Sequence, residues 1–266
     1  MIITDVHTHS NASPDGFDSP AEMVESAKAK NIGVLCITDH FEVPEKDEDD
    51  YKNIEPKIEN TFRFRNANSE NKTLVGIELG GAIYNPEYSK EFLSRHNFDF
   101  VLGSLHHIFY DDGPIDYYFL DYTGADTSKM LIDYFEKLYE QSKLLLFDSL
   151  AHLDYPTRYM RLKNVPYSLK CCEDQIDAIL KLLVENGKAL EINTSGLFAP
   201  FCDTLPTQNI IDRYCSFGGE FVTVGSDSHK AESLAQGFNK AVAKASKAGI
   251  KYLAYYENRQ PTMIKI

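Results

Sequence analysis

The chain has 266 residues, 43% of them hydrophobic, with a formal charge of −13 at pH 7; it can bury a large core, and single α/β barrels commonly run to about 250 residues. An acidic chain without a basic stripe excludes a nucleic-acid groove but not an anionic substrate, because bound divalent cations invert the local sign. The start MIITDVHTHS has no basic and apolar leader, and no run approaches the roughly 20 apolar residues that cross a bilayer. Five cysteines without a CxxC pair suggest neither a disulfide framework nor a thiolate zinc site. The expectation is a soluble, cytoplasmic protein with no membrane or nucleic-acid partner.

In chain order, short apolar runs predict strands at 2–6, 33–38, 73–79, 99–103, 145–151, 188–193 and 220–225, with a possible last strand at 251–255. Amphipathic patterns predict helices at 20–31, 52–67, 86–95, 128–142, 172–186, 207–217 and 231–248. The alternation is that of repeated βα units around a parallel sheet. No linker or internal repeat divides the chain, so the predicted fold is one α/β domain over residues 1–266, a closed or nearly closed barrel. Three connections stand out: the acidic stretch 42–51, the aromatic-rich 108–127, and 155–170 with its arginines. In a βα barrel, long loops after the strands build the active-site face.

The chemistry lies at the strand ends. His7 and His9 follow the first strand, His40 the second, and Glu78 closes the third; His106 follows the fourth, His152 ends the fifth, and Asp227 and His229 follow the seventh. Residues two apart on a strand share a face, so His7 with His9, and Asp227 with His229, can each present a pair to one space. Imidazole and carboxylate donors suit zinc, manganese or iron, and the set exceeds what one four- to six-coordinate ion uses. Two or three divalent ions sharing a bridging carboxylate are expected. His96, inside a helical segment, reads as ordinary; His107 reads either as facing substrate or as packing.

The ordered motifs DVHTHS, TDH, GIEL, GSLHH, AHLDYPTRY and GSDSH resemble those of the PHP (polymerase and histidinol phosphatase) superfamily over nearly the whole chain. AHLD followed by Arg158 and Tyr159 resembles its histidinol-phosphate phosphatase branch. The resemblance implies a distorted TIM-like (β/α)7 barrel with a trinuclear site. His7, His9, Glu78 and Asp227 would hold one ion, Glu78 would bridge to a second held by His106 and His152, and His40 and His229 would hold a third. Many superfamily members have a histidine in the loop after HxH, where Asp15 stands here; an oxygen donor favours manganese or iron. SPDGF at 13–17 also reads as a plain turn.

The expected reaction is hydrolysis of L-histidinol phosphate to histidinol and phosphate by a metal-bridging hydroxide, with Glu78, Asp227 and His229 as catalytic residues. The small phosphorylated substrate is expected to meet Arg158 and Arg161 as phosphate clamps. Glu191, Asn193 and Ser195 of EINTSG, and His107, are expected to line its other end, with Glu191 alternatively a barrel-interior residue. Phe109, Tyr110, Tyr117 and Tyr118 read as a lid or as packing, and the acidic run from Glu45 to Asp50 as a solvated loop. Rival readings are a relative acting on a nucleotide, a phosphotyrosyl peptide or another phosphoester, and a non-catalytic metal-dependent binding module. An amidohydrolase is disfavoured because no lysine accompanies Glu78.

Overall fold

Helix α1, Pro20–Ala29, shows how local signals set the boundaries. Ser19 caps it in a reciprocal capping box with Glu22, Pro20 occupies the first turn, and Met23, Val24 and Ala27 form the buried face. A computed structural model describes residues 1–43, 55–66, 71–110, 113–198 and 202–266, and of Phe109 and Tyr110 the backbone alone. The acidic run from Glu45 to Asp50 lies outside the described residues.

The strands are β1 (Ile3–Asp5), β2 (Ile32–Ile37), β3 (His40–Glu42), β4 (Lys72–Gly80), β5 (Phe100–Ser104), β6 (His107–Tyr110), β7 (Gly113–Asp116), β8 (Ser149–Leu150), β9 (Ala189–Asn193), β10 (Val222–Gly225), β11 (Tyr252–Glu257) and β12 (Gln260–Lys265). The order β1-β2-β4-β5-β8-β9-β10 is parallel throughout, and short β3 extends the β4 pairing beyond the end of β2. Backbone bonds from Val6 N to Val224 O (3.1 Å), Asp227 N to His7 O (2.8 Å) and His9 N to Ser228 O (2.8 Å) close the sheet into a seven-stranded barrel. After α1 come α2 (Glu55–Thr61), α3 (Pro86–Arg95), α4 (Thr127–Ser142), α5 (Tyr155–Leu162), α6 (Glu173–Glu185), α7 (Gln208–Ser216) and α8 (Phe238–Ala248). Among the described residues, no helix is long and apolar enough to cross a membrane.

Alternation along the strands sorts the side chains. On β4, Val75, Ile77 and Leu79 face the outer core beneath the helices, whereas Leu74 joins Val6, Val34, Cys36, Phe100 and Leu102 in a separate apolar cluster filling the barrel interior.

The structure departs from the expectations in five places. The expected last strand forms β11 but pairs antiparallel with β12 instead of joining the barrel. Asn258 (φ 51°) and Arg259 (φ 63°) make the tight left-handed turn between them. Ala254 and Tyr256 of β11 then plug the barrel floor, the Tyr256 ring centred 5.3 Å from that of Phe100. The connections at 108–127 and 155–170 contain the β6–β7 hairpin and α5, which opens with Pro156 in its first turn. The fifth strand is reduced to β8, and the helix expected at 231–248 is a 3-10 turn, Ala231–Ser233, followed by α8 after the left-handed Gly237.

Candidate metal centre

The inward column of β4 ends with Glu78, which is fully buried at the C-terminal mouth of the barrel. Five imidazoles surround its carboxylate. Oε1 lies 2.8 Å from His152 Nε2 and 3.1 Å from His106 Nε2; Oε2 lies 2.8 Å from His40 Nδ1, 3.3 Å from His7 Nε2 and 3.6 Å from His9 Nε2. Asp227 Oδ1 faces the same space, 3.3 Å from His9 Nε2 and 3.7 Å from His7 Nε2. Asp15 completes the outer edge, 3.1 Å from His229 Nε2 and 3.6 Å from His40 Nε2. The left-handed backbone at His152 (φ 24°) and Asp227 (φ 55°) lies in a region that costs a non-glycine residue about 1–3 kcal/mol, strain of the kind that clusters at functional sites.

The donor chemistry fits metal ions better than it fits a hydrogen-bonded core. His7 Nε2, His9 Nε2, His40 Nδ1 and Glu78 Oε2 are buried without a hydrogen bond, and His106 Nε2 and His152 Nε2 approach each other to 3.2 Å. Unpaired buried polar atoms are costly and rare, and a cation between them removes the cost. Several triples bring ligand atoms within reach of a shared ion, among them His7, His9 and Glu78; Glu78, His106 and His152; and His9, His40 and His229.

A second layer orients these rings, as metal-binding imidazoles require. Glu191 Oε1 accepts from His7 Nδ1 at 2.7 Å, and Glu42 Oε1 from His106 Nδ1 at 2.6 Å. His9 Nδ1 meets Ser13 Oγ at 3.3 Å, and that hydroxyl donates to Asp39 Oδ1 at 2.8 Å. Glycines make room for this layer: a Cβ at Gly80 would stand 2.1 Å from Glu42 Oε2, and one at Gly225 would stand 2.2 Å from His7 Cβ.

The electrostatics follow from the packing. Burial opposes ionisation of Glu78, but His7, His106 and His40 overcome it and hold the carboxyl well below its usual range. Burial likewise opposes ionisation of Asp227, where His7, His9, His229 and Arg158 hold it low. Burial, together with the neighbouring His40 and His229, pushes His9 well below the ordinary imidazole value, keeping a lone pair available. The carboxylates are therefore ionised and His9 neutral, whereas the same carboxylates raise His7, His40, His106 and His229 above the ordinary imidazole value, so a cation that takes over the carboxylates' charge displaces protons from those rings.

All nine expected ligands converge here: His7, His9, Asp15, His40, Glu78, His106, His152, Asp227 and His229. Above them opens a cavity of about 650 Å³ lined by Arg158 and His107, with the rings of Phe17, Tyr118, Phe119, Tyr155 and Tyr159 forming its walls. Arg158 Nη1 lies 3.4 Å from Asp227 Oδ2.

Other expected substrate residues lie elsewhere. Glu191 is wholly buried beneath His7, also accepting from His152 N at 3.0 Å. Asn193 and Ser195 brace Asp227 Oδ2, each at 3.4 Å, and do not line the cavity. Arg161 turns its Nε to the Tyr167 hydroxyl, away from the cavity. Tyr117 is buried against Tyr134 and is packing, whereas Tyr118 reaches the cavity. His96 is ordinary, paired with Glu55 at 3.2 Å. Two contributors carry little signal in the sequence. Glu42 opens an acidic stretch, although it lies two residues from His40 on one strand face and reaches His106, and Asp39 stands directly before His40 and anchors Ser13.

A PHP domain model matches residues 5–195, more than half of the chain. The chain belongs to the PHP family. This PHP protein is 30% identical to a probable histidinol-phosphatase of Clostridium acetobutylicum over 97% of its own length and 98% of that protein's. It is 31% identical to a probable histidinol-phosphatase of Thermotoga maritima, covering 94% of each chain. Its fold is that of the Lactococcus lactis histidinol phosphate phosphatase, a structure complexed with zinc, L-histidinol and phosphate, with TM-score 0.77, 24% identity and 98% of both chains covered.

Proposed function

We propose that the protein is a metal-dependent phosphomonoesterase that hydrolyses L-histidinol phosphate to L-histidinol and phosphate. The observation that carries this reading is the Glu78-centred ligand set lying directly beneath an arginine- and aromatic-walled cavity. End-to-end similarity to proteins named histidinol-phosphatase supports the choice of substrate.

In this proposal His7, His9, Glu78 and Asp227 hold one ion, Glu78, His106 and His152 a second, and His40, His229 and Asp15 a third. Two or three ions of manganese, iron or zinc suit these mixed donors, with the oxygen of Asp15 favouring manganese or iron at the third position. Divalent ions supply acidification of water and neutralisation of negative charge on phosphoryl oxygens. The chain's own residues do the rest. Arg158 binds a phosphate oxygen through its guanidinium. Through Oδ2, the oxygen turned from the imidazoles toward Arg158, Asp227 takes the proton shed by the water that attacks phosphorus. The departing alcohol oxygen gains the proton that Asp227 took up, which balances the step. Glu191 and Glu42 keep His7 and His106 aimed inward. A cytoplasmic, single-domain enzyme with no nucleic-acid or membrane partner belongs to the same proposal; none of the five cysteines forms a disulfide.

The test is a substrate panel on metal-loaded protein: L-histidinol phosphate, a nucleoside monophosphate and phosphotyrosine. The reading predicts that L-histidinol phosphate has the highest kcat/KM; no preference for it over the others would sink the substrate assignment.

A further inference from the structure

The cavity wall carries one carboxylate that the metal centre does not use. Asp116 ends β7, stands opposite His107 in the β6–β7 hairpin and lines the cavity. Its Oδ1 accepts from Tyr118 N at 2.7 Å and from the Tyr155 hydroxyl at 3.3 Å. The Tyr155 oxygen in turn accepts from the Tyr159 hydroxyl at 2.8 Å. The side chain is thus tethered through one oxygen by a tyrosine relay.

The other acids lining this cavity each face a basic partner: Asp15 faces His229, Glu42 faces His106 and His107, and Asp227 faces Arg158. Among the described residues, no lysine, arginine or histidine nitrogen makes an ion pair with Asp116. A carboxylate without a basic partner on the wall of a phosphate-binding cavity repels any substrate that is negative throughout, and gives nothing to one that is neutral beyond its phosphate. It is favourable only for a substrate that brings a positive charge some distance from the phosphoryl group, which is discrimination by both attraction and repulsion. The rings of Tyr118 and Tyr155 beside it also favour a cation, whereas Tyr159 already carries the Arg158 guanidinium over its face.

We infer that Asp116 is the specificity-determining residue: its carboxylate binds the ammonium group of an amino-alcohol phosphate and selects such substrates over phosphomonoesters whose organic part is uncharged. The identity of the amino alcohol rests on the proposed function above. The selection by charge does not.

Asp116→Asn removes the charge while keeping an Oδ1 acceptor for both tethering bonds, so the hairpin keeps its anchor. Metal-loaded wild type and variant are compared on L-histidinol phosphate, O-phosphoethanolamine and p-nitrophenyl phosphate. A hydrogen bond to a charged group corresponds to a factor of roughly 10 to 100. The ratio of kcat/KM for each amine-bearing substrate over p-nitrophenyl phosphate is expected to fall by that factor in the variant, through KM more than kcat. A ratio equal to that of wild type overturns the inference, whether absolute rates drop together or not at all. A wild type that prefers O-phosphoethanolamine to L-histidinol phosphate, with the ratio still falling in Asp116→Asn, supports the Asp116 assignment and contradicts the histidinol assignment alone.

Discussion

Replacing Glu191 with glutamine tests whether the buried second layer controls metal affinity. The carboxylate receives only donors: His7 Nδ1 at 2.7 Å on Oε1, and His152 N at 3.0 Å and Asn193 Nδ2 at 3.2 Å on Oε2. Glutamine offers one acceptor oxygen and one NH₂, so an amide hydrogen must oppose a donor either at His7 or at His152. Space for escape is small, since a Cβ at Gly225 would already stand 2.4 Å from Glu191 Oε1. Losing a hydrogen bond to a charged group costs about 1.5–3 kcal/mol, or roughly 10- to 100-fold in an equilibrium constant. Loss of an outer-layer partner at other metal-binding histidines falls in the same range. The assay is titration of chelator-stripped Glu191→Gln with Mn²⁺ or Zn²⁺, following turnover and checking the fold by circular dichroism. Half-saturation should move to about 10- to 100-fold higher metal. A variant that folds and saturates at the wild-type concentration would refute the role given to Glu191.

Arg158→Ala should weaken phosphate binding, raising KM and the inhibition constant for inorganic phosphate by about 10- to 100-fold, because its guanidinium lines the cavity beside Asp227; an unchanged phosphate inhibition constant would contradict this. Arg161→Ala should leave that constant near the wild-type value, since its Nε is directed to Tyr167. Tyr256→Ala empties the barrel floor of a side chain that is 3% exposed and should lower unfolding stability by about 3–5 kcal/mol. Denaturant melts would show this, and a variant as stable as wild type would mean that the C-terminal hairpin does not support the barrel.

The candidate ligands are legible in the sequence because a parallel barrel presents every strand's C-terminal end to one space, so histidines far apart in the chain need only share that position. Glu78 is legible for a second reason, since the parity of TLVGIEL sends Val75, Ile77 and Leu79 outward and the glutamate inward. The supporting layer is harder to read. Glu42 sits at the start of an acidic run, where composition suggests solvent, and only its pairing with His106 across 64 residues reveals its use. Glu191 has the right parity to point inward, but whether an inward carboxylate meets substrate or an imidazole depends on its depth in the barrel. Helix α5 is obscured by Pro156, which reads as a breaker unless it falls in a first turn. The C-terminal hairpin is obscured because its partner strand follows across a two-residue turn without glycine, so β11 resembles one more barrel strand until β12 is paired with it.

The most direct test of a multinuclear centre organised by Glu78 is a stoichiometric one. Protein stripped by chelator is titrated with Mn²⁺ or Zn²⁺ while bound metal and turnover of L-histidinol phosphate are measured on the same samples. The account predicts negligible turnover in the stripped protein and full recovery only once two or more equivalents are bound. Full turnover without metal, or saturation at a single bound equivalent, would contradict it.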